Sequence, residues 1–185
     1  MAVLSRNGTV SVDTDEQPTR ARIDKIPKLR PAFRKDGTVT AANSSSISDG
    51  AAGLVLMDVE RAEALGFEPI ALIKGYDDAS DEPEWFTTAP VEAIKKTLSR
   101  VGWSVDDVDL WEVNEAFAVV TMAAMHDLRI GHSVMNVNGG ACALGHPIGA
   151  SGARILVTLI HALRQQNLKR GIASLGIGGG VATAM

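Results

Sequence analysis

The sequence predicts an α/β fold, a mixed β-sheet with covering helices, and three observations carry that prediction. From about residue 51 onward, short apolar runs alternate with helical patterns. Proline and glycine punctuate those patterns, as Pro90 and Gly102 do around one helix. Glycine, 18 of the 185 residues, gathers in the last fifty positions, which suggests sites shaped by the backbone there.

Taken in order, residues 1 to about 50 are polar, with one alternating segment, GTVSVDTD. The chain then runs through the turn-forming stretch KIPKLRPAFRKDGTVTAANSSSISDG, which is expected to be irregular and to lack a core of its own. GLVLMD and PIALIKGYD read as strands, with the helix VERAEALG and its glycine stop between them. The spacing predicts a helix over 89–102, a strand at DLWEV and a helical pattern over NEAFAVVTMAAMHDL. GASGARILVTLIHALRQQ reads as a long helix, apolar nearly all round in its first half and so expected to be buried. GIASLGIGG and VATAM read as two last strands joined by a glycine turn. A helix buried on all sides needs cover that this chain is short of, so a partner is expected.

Composition narrows the function classes. With 45% apolar and 22% charged residues the chain reads as a soluble globular protein, and a net charge of -4 without a basic block argues against nucleic acid. No apolar stretch reaches about 18 residues, which argues against a membrane span. MAVLSRNGTVSVDTDEQ lacks the pattern of a signal peptide. The single cysteine, Cys142, offers no disulfide framework, and a reducing cytoplasm is the expected compartment. None of His126, His132, His146 and His161 stands in a metal-ligand spacing, so no metal is expected.

Three segments carry candidate chemistry. In NEAF, Asn114 either caps the following helix or offers its amide to a carbonyl oxygen or a water. In NVNGGACALGHPIGASGARIL, Gly139 and Gly140 permit close backbone approach, and His146 stands just before a helix opened by Gly149, Ser151 and Gly152. That histidine is either a base for a thiol or an oxyanion donor, or else a structural residue; a phosphate cradle would lack the Lys-Ser/Thr ending of a P-loop. The turn at Gly178 is either a tight hairpin or a set of backbone N–H groups facing an oxyanion.

Together, KLRPAFRKDGTVTAANSSSISDGAA, VNEAFA, NVNGGACALGHPIGASGARIL and ASLGIGGG stand in the order found in the thiolase family, which the chain closely resembles. The resemblance is to the C-terminal half, a complete family chain being about twice as long. It implies residues 1–50 as the end of the thiolase loop domain and 51–185 as the C-terminal domain. It also implies acyl transfer on coenzyme A thioesters by Claisen condensation or its reverse, with the thioester as substrate and no further cofactor. His146 then activates a nucleophilic cysteine, Asn114 holds a water in an oxyanion hole, and Gly178 gives a backbone N–H to a second one. Ser45, Phe33, Ala116 and Phe117 fall where the family meets the pantetheine arm. Lys25, with Arg20 and Arg22, is a candidate for the nucleotide end, though Phe33 and the basic residues serve equally as local packing and solvated charge.

Two departures stand out. The half that bears the nucleophile is absent, and Gly176 occupies the place of the proton-shuttle cysteine. Cys142 lies elsewhere, in a loop without a catalytic role in the family. The implied partner is a thiolase N-terminal-half subunit carrying the nucleophilic cysteine, in a hetero-oligomer. The alternatives are a CoA-binding or scaffolding subunit with impaired catalysis, a decarboxylating or acyl-transferring relative, and a fragment of a longer protein.

Overall fold

The computed structural model describes residues 2–185, which form two compact units, one up to Arg30 and the other Pro31–Met185. In the first, β1 (Ala2–Ser5) and β2 (Gly8–Ser11) form an antiparallel hairpin. The alternating GTVSVDTD segment supplies β2, while its partner β1 was not foreseen. A short helix α1 (Glu16–Arg20), capped by Asp15, and a 3-10 segment Ile23–Lys28 follow; none of their residues is buried.

The second unit opens with irregular chain up to α2 (Val59–Ala64). Its sheet has the order β3-β6-β5-β4, built from β3 (Asp77–Ser80), β4 (Leu110–Val113), β5 (Gly171–Ile177) and β6 (Val181–Ala184). β4 and β5 run parallel, whereas β5–β6 and β6–β3 are antiparallel, so the sheet is mixed as expected. Helices cover both faces. α3 (Ala89–Val101) begins with Pro90 in its first turn and stops at Gly102, which takes the left-handed conformation at φ 68°. Its Val91, Ile94 and Leu98 share one stripe and pack with Trp111, Val113, Ile172 and Ala182, together with Val120 and Ala124 of α4 (Ala118–Leu128). On the opposite face, α6 (Ser151–Gln165) lays Ile155, Leu159 and Ala162 against Leu110 and Ala173. The period-2 alternation of β4 therefore feeds two cores, Leu110 to one and Trp111 to the other.

Three expectations fail, each for a physical reason. GLVLMD forms no strand: Val55 and Leu56 are 88% and 70% exposed, and no neighbouring strand among the described residues satisfies their backbone. PIALIKGYD likewise stays irregular until Asp77, leaving Ile70, Leu72 and Ile73 exposed. α6 is not buried all round. Only Ser151, Ile155, Leu159 and Ala162 are fully covered, and the rest of its apolar surface is partly open. Apolar composition marked these segments as strands, but among the described residues no neighbouring strand pairs with them.

The terminal hairpin depends on Gly180. Its φ is 82°, and a Cβ there would overlap the carbonyl oxygens of Asp81 and Glu82, just where Asp81 N–H donates to Gly180 O at 2.9 Å. Gly180→Ala should cost about 2–4 kcal/mol, measured by urea denaturation. Gly149→Ala, at an exposed position where an added Cβ meets nothing within 4 Å, should stay within about 0.5 kcal/mol of the parent.

Candidate active site

Three loops remote in sequence meet beyond the C-terminal end of β4. Two of them, the segment after β4 and the turn before α6, are joined by the third, a strap at residues 44–47. Ser44 bridges Phe117 in antiparallel fashion and Ile47 bridges His146 in parallel fashion. Ser45 donates both its N–H and its hydroxyl to Ala116 O, at 3.1 and 3.0 Å. His146 N–H donates to Ser46 O at 2.8 Å. The strap thus spans the two loops with ladder-like backbone bonds, and His146 and Asn114 are brought together.

Asn114 does not cap α4. That helix starts at Ala118 behind Phe117, with no side-chain cap. Instead Asn114 N–H donates to Ser174 O at 2.9 Å, extending the β4–β5 pairing, and the side chain is 2% exposed. Its Nδ2 stands 3.5 Å from His146 Nε2, while its buried Oδ1 has no hydrogen-bond partner among the described residues.

The imidazole is oriented from behind. His146 Nδ1 lies 2.6 Å from Ser151 Oγ, and Ser151, fully buried in the first turn of α6, donates its hydroxyl to Pro147 O at 3.1 Å. A carbonyl oxygen only accepts, so both contacts are hydrogen bonds only if Nδ1 carries the ring proton. Nε2 then presents a lone pair toward Asn114 and the open side. Burial first, and then the Arg154 guanidinium, hold His146 below the usual histidine range. A neutral ring with an open Nε2 is the form a general base requires.

Residues not singled out in the sequence support this arrangement. Asn136 clamps Val113 from both sides, its Oδ1 accepting from Val113 N–H and its Nδ2 donating to Val113 O, each at 2.9 Å. The same Nδ2 donates to Glu115 Oε1 at 2.9 Å, and Cys142 N–H donates to Glu115 Oε2 at 3.1 Å. The carboxylate fills the space where a Cβ on Gly140 would fall, which is the close approach that the Gly139-Gly140 doublet signalled. Burial, reinforced by Glu115, pushes the Cys142 thiol up to about 11, so it remains a protonated thiol and a poor nucleophile. On the α6 side of β4, buried Glu112 pairs with Arg154 at 3.6 Å.

The remaining candidates fall in different places. Phe117 makes edge-to-face contacts with Phe33 at 5.5 Å and with Phe86 at 6.0 Å, an aromatic wall beside Ala116. Gly178 is exposed in the turn after β5, and no hydrogen bond among the described residues links it to Asn114 or His146. Lys25 and Arg22 are exposed in the first unit, where Arg20 is paired with Glu16. No helix is long and apolar enough to cross a membrane.

Comparison with known proteins places this geometry. Residues 67–185 match the model of the thiolase C-terminal domain, and residues 1–60 match that of the thiolase N-terminal domain. The acetyl-CoA acetyltransferase of Chromobacterium violaceum is 53% identical over 165 residues, covering 89% of this chain and 42% of that protein. A probable acetyl-CoA acetyltransferase of Dictyostelium discoideum is 51% identical, covering 99% of this chain and 44% of its own length. Among solved structures, the Bacillus anthracis acetyl-CoA acetyltransferase superposes with a TM-score of 0.91 at 47% identity, over 99% of this chain and 47% of that one. Human mitochondrial 3-ketoacyl-CoA thiolase gives 0.84 at 37% identity, over 100% and 47%. The chain spans about half the length of the relatives it matches.

Burial pushes the Glu112 carboxyl up from 4.5 to about 7 against the pull of Arg154, with Glu115 adding to the rise. A native value above the unfolded one contributes stability that is fully present below about pH 4.5 and is lost as the pH rises through about 7. Relative to Glu112→Gln, the parent should therefore lose on the order of 2–3 kcal/mol between about pH 5 and about pH 8 in urea denaturation.

Proposed function

Because this chain belongs to the thiolase family, we propose that it is one subunit of a split thiolase, an acyl-CoA C-acyltransferase whose nucleophilic cysteine comes from a second polypeptide. On this reading residues 1–50 close the loop domain and 51–185 form the C-terminal domain. The observation that carries the reading is the His146–Asn114 pair, Nε2 and Nδ2 3.5 Å apart, with His146 Nδ1 2.6 Å from the buried Ser151 hydroxyl. His146 Nε2 takes the proton of the partner's thiol as the thiolate attacks the thioester carbonyl. The acyl group passes to that sulfur, and the coenzyme A thiolate leaves with the proton returned by His146. Asn114 offers its amide to the oxygen that becomes negative, directly or through a water. The Gly178 N–H is assigned to the second oxyanion hole, and Ser45, Ala116, Phe117 and Phe33 to the pantetheine arm. Lys25 is assigned to the nucleotide end.

The incomplete surface supports a second chain. Residues 53–58 and 70–73 expose Val55, Leu56, Met57, Ile70, Leu72 and Ile73, and among the described residues they pair with no strand. Residues 1–60 match the thiolase N-terminal domain, and the chain covers 42% of the length of the Chromobacterium violaceum relative.

A second reading, a CoA-binding or scaffolding subunit, is favoured by Gly176. Glycine has no titratable group, so without a substitute base condensation should be slowed about 10²–10⁴-fold, while acyl transfer suffers less. A Cβ at Gly176 would sit 3.3 Å from Phe86 O and 3.7 Å from Pro90 Cγ, so a side chain fits with a small adjustment.

Co-expression with a thiolase N-terminal half bearing the nucleophile, followed by an acetoacetyl-CoA cleavage assay, separates the two readings. Turnover should require both chains and vanish with His146→Ala. A complex inert toward every acyl-CoA would instead favour the scaffolding role. In a competent complex Gly176→Cys should raise the condensation rate; an unchanged rate would refute the missing-base explanation.

A further inference from the structure

β4 is an edge strand of its sheet, and its outer edge is covered by one residue, Asn136. Asn136 takes a left-handed backbone at φ 46°, and its N–H donates to Trp111 O at 2.8 Å. Its side-chain amide then pairs with both the N–H and the C=O of Val113, as a neighbouring strand would, just before Asn114. The same Nδ2 reaches Glu115 Oε1 at 2.9 Å, and Glu115 Oε2 accepts the Cys142 N–H at 3.1 Å. Cys142 belongs to α5 (Ala141–Leu144), closed by Leu144 N–H to Gly140 O and Gly145 N–H to Ala141 O, each at 2.9 Å. His146 follows directly. Glu115 is thus joined to Asn114 by the chain and to the turn that delivers His146 by its carboxylate. From this geometry we propose that Asn136 and Glu115 are positioning residues, which hold the loop of Asn114 against the loop of His146 and so set the separation of Asn114 Nδ2 and His146 Nε2.

The direction of every bond in this link is fixed. Val113 N–H only donates, so Asn136 turns Oδ1 toward it and Nδ2 toward Val113 O and Glu115. Cys142 N–H also only donates, so the residue at 115 must accept at both ends. A carboxylate does so and a carboxamide cannot. The space is equally particular. Gly140 has an extended backbone at φ -120°, which any residue adopts, yet a Cβ there would overlap the Glu115 carboxylate. It is the carboxylate, not backbone strain, that keeps position 140 bare. The other anchors of the two residues lie on different elements: Asn114 N–H on Ser174 O of β5, and His146 Nδ1 on Ser151 of α6. A carboxylate with both oxygens engaged couples the two loops, and a network left half-satisfied would release them.

The inference rests on reading the His146–Asn114 pair as part of an acyl-transfer site. Its test begins with the full chain alone, without coenzyme A or a second polypeptide, so failure of that reading and failure here are distinct results. With Nδ2 and Nε2 3.5 Å apart, the parent should show a nuclear Overhauser cross-peak between the Asn114 side-chain amide and a carbon-bound ring proton of His146, assigned by its loss in His146→Gln. Glu115→Gln sets donor against donor whichever way the amide turns, and should abolish the cross-peak. Asn136→Asp sets oxygen against oxygen and should do the same. Together the two substitutions invert the pair: the new amide donates to the new carboxylate and still accepts from Cys142 N–H, so the cross-peak should return. In an active complex each single variant should lower kcat about 10–100-fold with KM within about 2-fold of the parent, and the double variant should regain about tenfold over Asn136→Asp. A parent without the cross-peak, a cross-peak retained in Glu115→Gln, or a double variant no better than the worse single would overturn the proposal. Should Asn136→Asp fail to fold by circular dichroism, Gly140→Ala, which displaces the carboxylate without altering it, joins Glu115→Gln, and a cross-peak surviving in either overturns it.

Discussion

The hydrogen bond between His146 Nδ1 and the buried Ser151 hydroxyl is the constraint on which the site depends. It links a loop residue to the first turn of α6, so the ring is held as firmly as the helix. With the serine hydroxyl donating to Pro147 O, its lone pair faces the imidazole, the pairing that puts the ring proton on Nδ1. A buried hydroxyl deprived of either contact would carry an uncompensated desolvation cost of about 1–3 kcal/mol. Orientation, tautomer and helix packing are therefore one property seen at three scales.

The sheet supplies the frame for that contact. In open α/β sheets, sites form off the carboxyl ends of parallel strands, and Asn114 stands at that end of β4 beside its parallel neighbour β5. α6 returns the chain to β5, so the helix that carries Ser151 and Arg154 is the crossover of the same unit. The strap at Ser44–Ile47 then closes the opening between the two loops through backbone bonds, which its run of small serines allows without steric conflict. What this frame lacks is equally specific. The chain presents an imidazole and an amide, while the one thiol it owns, Cys142, is bound up with Glu115 and holds its proton.

Much of this was legible before the structure. α3 is bounded by Pro90 and Gly102, α6 opens where GASG places it, and the last two strands flank the glycine turn as read. These features are local, so local sequence encodes them. GLVLMD and PIALIKG were misjudged because a strand exists only with a neighbour, and composition cannot say whether that neighbour belongs to the same chain. His146 and Asn114 were found through motifs, but the helix-cap reading of Asn114 fell only when α4 proved to begin four residues later. Glu112, Arg154 and Asn136 escaped notice for a common reason. Each acts through a partner 23 to 42 positions away, as in Asn136–Val113 and Glu112–Arg154, and no periodicity announces such pairs.

The account therefore reduces to a protonation state prepared in advance: a neutral ring, its hydrogen on the side of Ser151, its lone pair facing outward beside an amide. Nitrogen-15 chemical shifts of the His146 ring at neutral pH read that state directly. The account predicts a protonated, pyrrole-type Nδ1 and a bare, pyridine-type Nε2. A proton on Nε2, or an imidazolium at that pH, would contradict it.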